Sequence, residues 1–155
     1  MAKIVTMGEI MLRLTTQNHN RFIQAHAFDV CYGGGEANVA VSLANYGHDT
    51  DYVTKVPANP IGDCAVASLR KLNVGTKFIA RGGDRLGIYF LESGSAMRPS
   101  SIVYDRANSS IATATPDDFD FDAIFEGADW FHFTGITPAL GDNVAAICLE
   151  ACKAA

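Results

Sequence analysis

Apolar residues in the first third of the chain fall into strand-like runs that are followed by one helical stretch. The runs cover residues 3–7, 9–16 and 28–32, the second with imperfect alternation. From 36 to 46 the apolar side chains recur three and four positions apart, which is the spacing of a helix with a broad buried face. Gly47 follows as the expected C-cap. The pattern therefore predicts three strands and then a helix.

The next elements alternate between strand and helix. Residues 51–56 form a predicted strand, 57–62 a turn-rich loop, 65–72 a helix and 76–80 a short strand. Because strands that alternate with helices usually pair in parallel, this order predicts an α/β fold in which helices flank a parallel sheet.

A different pattern begins after residue 86. The stretches 87–92 and 101–104 have strand character, and the Gly-, Ser- and Pro-containing segment between them has no helical pattern. Two strands joined in this way predict an antiparallel hairpin. We expect this hairpin to join the strands before Gly33 in a small antiparallel β-sheet, a lid whose strands lie within about 10–33 and 86–106.

The last third of the chain returns to the α/β pattern. A helix start is predicted at 115–118, where Thr115 is the cap, Pro116 takes the first helical position and two aspartates follow. Residues 129–134 predict a buried strand, and 143–155 predict a helix with one apolar face.

Composition adds limits on function. The 155 residues suffice for one domain, and 48% hydrophobic with 19% charged residues is typical of a globular chain. The net charge of -5 argues against binding to nucleic acid or to an anionic membrane, which needs a basic face. No apolar run approaches the roughly 18 residues of a membrane span, and the first residues do not resemble a signal peptide. A cytoplasmic location is the default expectation.

The strongest chemical signal is the sequence Gly-Gly-Gly-Glu-Ala-Asn at 33–38, between a predicted strand and a predicted helix. Glycines let the backbone approach a ligand closely, and the first amides of the following helix then point toward it. The side chain of Asn38 can both donate and accept, which suits the paired hydroxyls of a sugar. A tight strand-to-helix turn without a ligand is the structural alternative.

Two familiar nucleotide-binding motifs do not match. The dinucleotide fingerprint requires a small residue where this chain has Asn38, which disfavours a nicotinamide oxidoreductase. A Walker A loop requires Lys and then Ser or Thr after its last glycine, but Ile88 and Tyr89 follow Gly87.

Three stretches carry a resemblance to a known enzyme family. The glycine motif, with Ala40 and with Gly47 after the helix, resembles the N-terminal signature of the ribokinase-like (PfkB) carbohydrate kinases. Its Gly-Gly-x-Glu-Ala-Asn form, with Met-Gly-Glu-Ile-Met at 7–11 and Tyr-Asp-Arg-Ala-Asn-Ser at 104–109, is similar to the 2-keto-3-deoxygluconate kinase branch. The chain departs from many relatives at 56–62, where it lacks their Val-Gly-x-Asp-like stretch.

The resemblance implies a sugar-binding site on matching positions. The glycines and Asn38 would bind hydroxyls, and Tyr89 on the lid would cover the sugar. Ile136 follows a predicted strand and would lie where open α/β sheets bind ligands. The implied substrate-binding residues are Gly34, Gly35, Asn38, Tyr89, Tyr104, Arg106 and Ile136.

A sugar acid needs a cation in its site. The planar guanidinium of Arg106 can pair with a carboxylate through two hydrogen bonds. Structural alternatives remain at three positions. Arg106 could be a solvated loop residue and Tyr89 a packing residue of the lid. Glu9, after the first strand, could be a ligand contact or a structural acid.

The resemblance also implies the reaction. ATP, assisted by Mg²⁺, would phosphorylate the hydroxyl on carbon 6 of 2-keto-3-deoxygluconate, and an aspartate in a Gly-Ala-Gly-Asp motif would accept the proton. That motif does not occur in this sequence. We therefore expect residues 1–155 to be the N-terminal, sugar-binding part of a ribokinase-like domain. They would hold no catalytic base, no metal site and no ATP-binding half, and would be inactive alone.

Two alternatives keep this fold. One is a kinase of the fructokinase or ribokinase type, which acts on a neutral sugar. The other is a non-catalytic fragment that binds a sugar acid. With this fold, whichever the function, the lid would expose an apolar face and unpaired strand edges, which are usually covered in proteins. We expect a homo-oligomer in which the lids of two copies pack together.

Overall fold

The computed structural model describes residues 1–155. Its strands, in chain order, are β1 (Lys3–Met7), β2 (Met11–Thr16), β3 (Phe28–Gly33), β4 (Asp49–Val56), β5 (Ile79–Arg81), β6 (Ile88–Glu92), β7 (Ser101–Asp105) and β8 (Trp130–His132). Its helices are α1 (Gly35–Asn45), α2 (Pro60–Arg70), α3 (Phe121–Phe125) and α4 (Asp142–Ala154). None of the helices combines the length and the apolar character that a membrane crossing requires.

The main sheet has the strand order β5–β4–β1–β8, and all three pairings are parallel. Side chains of a strand alternate between the two faces of a sheet. Tyr52 and Val56 accordingly pack on one side with residues of α1 and α2. Val53 packs on the other side with Ile147 and Ala151 of α4. The predicted parallel sheet with flanking helices is confirmed.

The second sheet is the predicted lid, with the strand order β3–β2–β6–β7. The outer pairs β2–β3 and β6–β7 are antiparallel, as expected for hairpins. The central pair β2–β6 is parallel, so the expectation of an antiparallel lid is wrong there and the sheet is mixed. Both central strands leave the main domain side by side, where the Leu12 amide donates to the Gly87 carbonyl at 2.9 Å. They therefore run in the same direction.

Helix α2 begins five residues before its predicted start at 65, inside the expected loop. The Asn59 side chain accepts hydrogen bonds from the amides of Ile61 and Gly62 at 3.1 and 3.0 Å, and Pro60 occupies the first helical position. Asn followed by Pro is a strong helix start. The sequence pattern predicts a loop for this pair of residues, because Asn-Pro is also a common turn signal.

The helix start predicted at Thr115 is a single 3-10 turn, Pro116–Asp118. Thr115 takes the predicted cap position, and the Asp118 carboxylate accepts from the Thr115 amide at 2.8 Å. The same carboxylate also accepts from Lys55 Nζ of β4 at 2.7 Å. This contact holds the turn against the sheet, and the chain then redirects into the short helix α3.

Candidate functional site

A cavity of about 240 Å³ lies at the carboxyl ends of β1 and β8, between the start of α1 and the inner face of the lid. Ligands of open α/β sheets bind at this end of the strands. Thirteen residues line the cavity: Glu9, Met11, Gly34, Gly35, Glu36, Asn38, Tyr89, Ile102, Tyr104, Arg106, Ile136, Thr137 and Leu140.

All seven residues predicted from the sequence line this one cavity. Three come from the start of α1, two from the lid strands, one from the segment after β7 and one from the loop after β8. Tyr89 and Tyr104 are paired across β6 and β7, and their ring centroids lie 5.8 Å apart. The structure thus brings the predicted set together, and their role in binding a sugar stays a prediction.

At the start of α1, two glycines present their backbone to the cavity. Gly34 is the N-cap and has no side chain to cap the helix. A Cβ atom at Gly34 would come within 2.0 Å of the Glu9 carbonyl oxygen, whereas a Cβ at Gly35 would meet no atom within 4 Å. One glycine therefore permits close backbone packing, and the next leaves open space at the helix start. Asn38, one turn further on, is exposed at the cavity wall.

Glu36 is almost fully buried and joins α1 to the loop that carries Ile136. Its Oε1 accepts from the Thr134 amide at 3.1 Å, from Thr134 Oγ1 at 2.6 Å and from Thr137 Oγ1 at 2.7 Å. Burial by itself raises the pKa of Glu36, but hydrogen bonds from Thr134 and Thr137 bring the pKa below its ordinary value of 4.5. Glu36 is therefore an ionised brace for one wall of the cavity.

Glu9 braces the opposite wall, at the base of the lid. It is 5% exposed, and its Oε1 accepts from Ser109 Oγ at 2.6 Å while Oε2 accepts from Arg106 Nη2. Glu9 is thus a satisfied structural acid that also lines the cavity. Its partner is not a solvated loop residue, because the Arg106 side chain is only 25% exposed and its Nε atom is buried without a hydrogen-bond partner.

Sequence reasoning missed several lining residues. Ile102 lies two positions before Tyr104 on the same strand face, so strand alternation could have found it. Met11 reaches the cavity through the parallel pairing of β2 with β6, which no local pattern indicates. Thr137 directly precedes a 3-10 turn, Pro138–Leu140, and Leu140 is its last residue. The position of this turn depends on the contact between Thr137 and Glu36.

Potential metal ligands are not clustered in this structure. No group of three or more His, Cys, Asp or Glu side chains is placed to hold a metal ion.

Comparison with known proteins places the chain in a family. A family model described as "pfkB family carbohydrate kinase" matches residues 1–155. The chain belongs to the PfkB family of carbohydrate kinases. Among solved structures, a 2-dehydro-3-deoxygluconokinase from Thermotoga maritima is 56% identical, with a TM-score of 0.97 over 99% of this chain and 47% of its own. The resemblance seen in the sequence motifs is confirmed.

Curated PfkB relatives agree with this assignment. A 2-dehydro-3-deoxygalactonokinase from Haloferax volcanii is 36% identical over 92% of this chain and 45% of its own length. A 2-dehydro-3-deoxygluconokinase from Bacillus subtilis is 30% identical over 88% of this chain and 42% of its own length. The chain spans less than half the length of each of these relatives.

Substitution of Gly34 by alanine tests the close packing at the start of α1. The new Cβ would press on the backbone of Glu9, so we expect Gly34→Ala to lose about 1–3 kcal/mol of unfolding free energy. Gly35→Ala is the matched control, since its Cβ meets open space and it should be neutral or slightly stabilising. Urea unfolding measures both. Equal stability of the two variants would contradict the packing described here.

Because Glu36 is ionised and holds one wall of the cavity, the unfolding free energy should depend on pH. Because its folded pKa lies below 4.5, its stabilisation is complete above that pH and is lost as the pH falls through the folded pKa. We expect Glu36→Gln to lower the unfolding free energy by about 1–3 kcal/mol at pH 7. The difference from wild type should shrink in acid.

Urea unfolding at several pH values tests this dependence. Glu150→Gln is the control, because the Glu150 side chain on α4 is 46% exposed and pairs only with Lys153, so its loss should have little effect at any pH. A Glu36→Gln curve that stays parallel to wild type down to acid pH would refute the ionised brace.

Proposed function

We propose that this chain supplies the sugar-binding half of an ATP-dependent kinase that phosphorylates 2-keto-3-deoxygluconate to its 6-phosphate. The observation that carries the proposal is the Arg106 guanidinium, which Glu9 holds at the wall of a cavity that Asn38, Tyr89 and Tyr104 also line. Membership of the PfkB family and the names of the relatives support a kinase that acts on this class of sugar.

The size and lining of the cavity suit a monosaccharide. Its volume of about 240 Å³ is below the roughly 300–1,000 Å³ of pockets for drug-sized ligands. Asn38 and the hydroxyls of Tyr89 and Tyr104 can each donate and accept hydrogen bonds. The uncapped start of α1 adds backbone amides at the positive end of the helix.

A carboxylate on the sugar would pair with donors of the Arg106 guanidinium that Glu9 does not use. A hydrogen bond between two charged groups is stronger than a neutral one, so this pairing would add affinity for an acid. The Thermotoga and Bacillus relatives are named for 2-dehydro-3-deoxygluconate, a synonym of 2-keto-3-deoxygluconate, and the Haloferax relative for the galactonate. Both compounds are 2-keto-3-deoxy sugar acids that differ in the configuration of one hydroxyl carbon. The acid class therefore has broader support than either epimer.

Phosphoryl transfer needs an acceptor for the proton of the attacked hydroxyl. The two carboxylates of the cavity are poor candidates, because Glu9 and Glu36 are buried and engaged with their own donors. The proton acceptor, Mg²⁺ and the ATP site are accordingly assigned to groups outside these residues. A neutral-sugar kinase and a non-catalytic sugar-acid binder are the competing functions.

Isothermal titration with two matched sugars tests the substrate class. In 3-deoxyfructose a hydroxymethyl group replaces the carboxylate of 2-keto-3-deoxygluconate. We expect wild type to prefer the acid and Arg106→Lys to weaken acid binding about 10- to 100-fold, the equivalent of one charged hydrogen bond. Lysine keeps a cation beside Glu9, so the fold should survive.

Arg81→Lys is the matched control, since Arg81 pairs with Asp63 on the main domain and does not line the cavity. It should bind both sugars as wild type does. Equal affinity of wild type for the two sugars would instead favour the fructokinase or ribokinase type. An ATP-dependent assay with 2-keto-3-deoxygluconate, carried out on a polypeptide that also includes the proposed ATP-binding half, then separates a kinase from a non-catalytic binder.

We also propose a homo-oligomer through the lid. Register places four apolar residues in one row across the face opposite the paired tyrosines: Val30, Leu14, Phe90 and Val103. Val30 and Val103 at the two ends of the row are 61% and 51% exposed. A second copy of this row is the complementary surface that would cover it.

Sedimentation equilibrium measures the predicted assembly. Wild type should have at least twice the mass of the single polypeptide that is measured, which is 16.6 kDa for residues 1–155, and Val30→Glu should reduce it to the monomer mass because a charge at the apolar contact is unfavourable. Leu149→Glu, at an exposed position on α4, should leave the assembly intact. A monomeric wild type would overturn the oligomer.

A further inference from the structure

We propose that Glu9, supported by Ser109, is a positioning residue that fixes the Arg106 guanidinium for the carboxylate of a sugar acid. The inference rests on the proposed function, because it assigns a role in recognising that substrate class. It concerns two residues that would not touch the substrate carboxylate themselves.

The first argument is the confinement of Glu9. A Cβ atom at Gly87 would come within 2.4 Å of Glu9 Oε1, and one at Gly34 would come within 2.0 Å of the Glu9 carbonyl oxygen. Backbone therefore packs against both the side chain and the main chain of Glu9. Its carboxylate cannot shift to follow a mobile partner, so it acts as a fixed point at the base of the lid.

The second argument is that the two carboxylate oxygens of Glu9 accept from different residues. Oε1 accepts from Ser109 Oγ at 2.6 Å, and Ser109 is 1% exposed. Oε2 accepts from Arg106 Nη2. Ser109 therefore holds one oxygen of Glu9, and this leaves the other directed at the guanidinium.

The third argument is what remains free on Arg106. The guanidinium has five N–H donors in a rigid plane. Glu9 fixes one nitrogen and the Tyr104 ring lies against one face of the plane, so all five donors are oriented. The central carbon of the guanidinium lies 5.7 Å from the ring centroid of Tyr104, and Nε is buried without an acceptor. A guanidinium that is fixed in this way and lines the cavity is preorganised for an anion that arrives with the ligand.

Charge alone does not explain the arrangement. The cavity lining contains one arginine and two glutamates, so its side chains do not offer a net positive charge to an anion. Recognition of a carboxylate must then come from the placement of the donors rather than from bulk attraction. Placement is the property that Glu9 and Ser109 control.

The test compares two adjacent buried serines. Ser109→Ala removes the hydrogen bond that holds Glu9 and leaves the cavity lining untouched. Ser110→Ala is the matched control, because Ser110 is equally buried but donates to the Arg85 carbonyl at 2.9 Å instead. Glu9→Asp is a second variant that keeps the charge and shortens the reach to Arg106.

Titration of each variant with 2-keto-3-deoxygluconate and 3-deoxyfructose gives the readout. We expect Ser109→Ala to weaken acid binding about 3- to 10-fold, the equivalent of one hydrogen bond, and Glu9→Asp to weaken it at least as much. Affinity for the neutral sugar should not change, and Ser110→Ala should match wild type for both. The Arg106 Nε–H signal in ¹⁵N-edited NMR should shift on acid binding in wild type and fail to shift in Glu9→Asp.

The outcomes separate this inference from the proposed function. If wild type prefers the acid but Ser109→Ala and Glu9→Asp keep that preference, positioning by Glu9 is wrong and the function stands. If the variants lose affinity for both sugars equally, Glu9 has a structural role only and the inference is overturned. If wild type shows no preference for the acid, the proposed function fails and the inference with it.

Discussion

A carboxylate that is removed from water must find donors for its oxygens, because an unpaired buried charge costs several kcal/mol. The cavity of this protein is assembled around two such carboxylates. Glu9 accepts hydrogen bonds from Ser109 and Arg106, which lie in the segment after the lid. Glu36 accepts from Thr134 and Thr137 in the loop after β8. Each glutamate thereby ties a cavity wall to the end of β1 or to the start of α1.

This constraint also explains several glycines. A Cβ at Gly8 would come within 2.3 Å of Glu36 Oε2, and one at Gly87 within 2.4 Å of Glu9 Oε1. Gly34 admits the backbone of Glu9 beside α1. These glycines are thus required by the buried acids as much as by any ligand. The glycine-rich motif has two functions, which are to pack against Glu9 and to leave the helix start bare on the cavity side.

Local patterns predicted most of the strands and the helices α1 and α4, because many of these elements bury one face with a regular period. The helix start expected at Thr115 is instead a single 3-10 turn. The strand at 3–7 and the helix face of Val144, Ile147, Cys148 and Ala151 agree with the structure. The parallel β2–β6 pairing was not predictable, since it joins segments about seventy residues apart and depends on how both leave the main sheet. Asn59 and Pro60 did carry a helix-start signal that resembles a turn.

The site was predictable where a motif or a resemblance named the residue, and all seven such positions line the cavity. The contacts of Glu36 were not predictable, because its partners lie about a hundred positions away in sequence. The pairing of Glu9 with Arg106 was not predictable either, because the two residues lie 97 positions apart. This pairing orients the guanidinium of Arg106.

A crystal structure of the protein with 2-keto-3-deoxygluconate tests the central claim most directly. The account predicts the sugar between the start of α1 and the lid, with its carboxylate about 2.7–2.9 Å from a guanidinium nitrogen of Arg106 and a hydroxyl bonded to Asn38. Glu9 and Ser109 should keep the contacts they have without ligand. A sugar bound outside this cavity, or inside it with its carboxylate turned away from Arg106, would contradict the account.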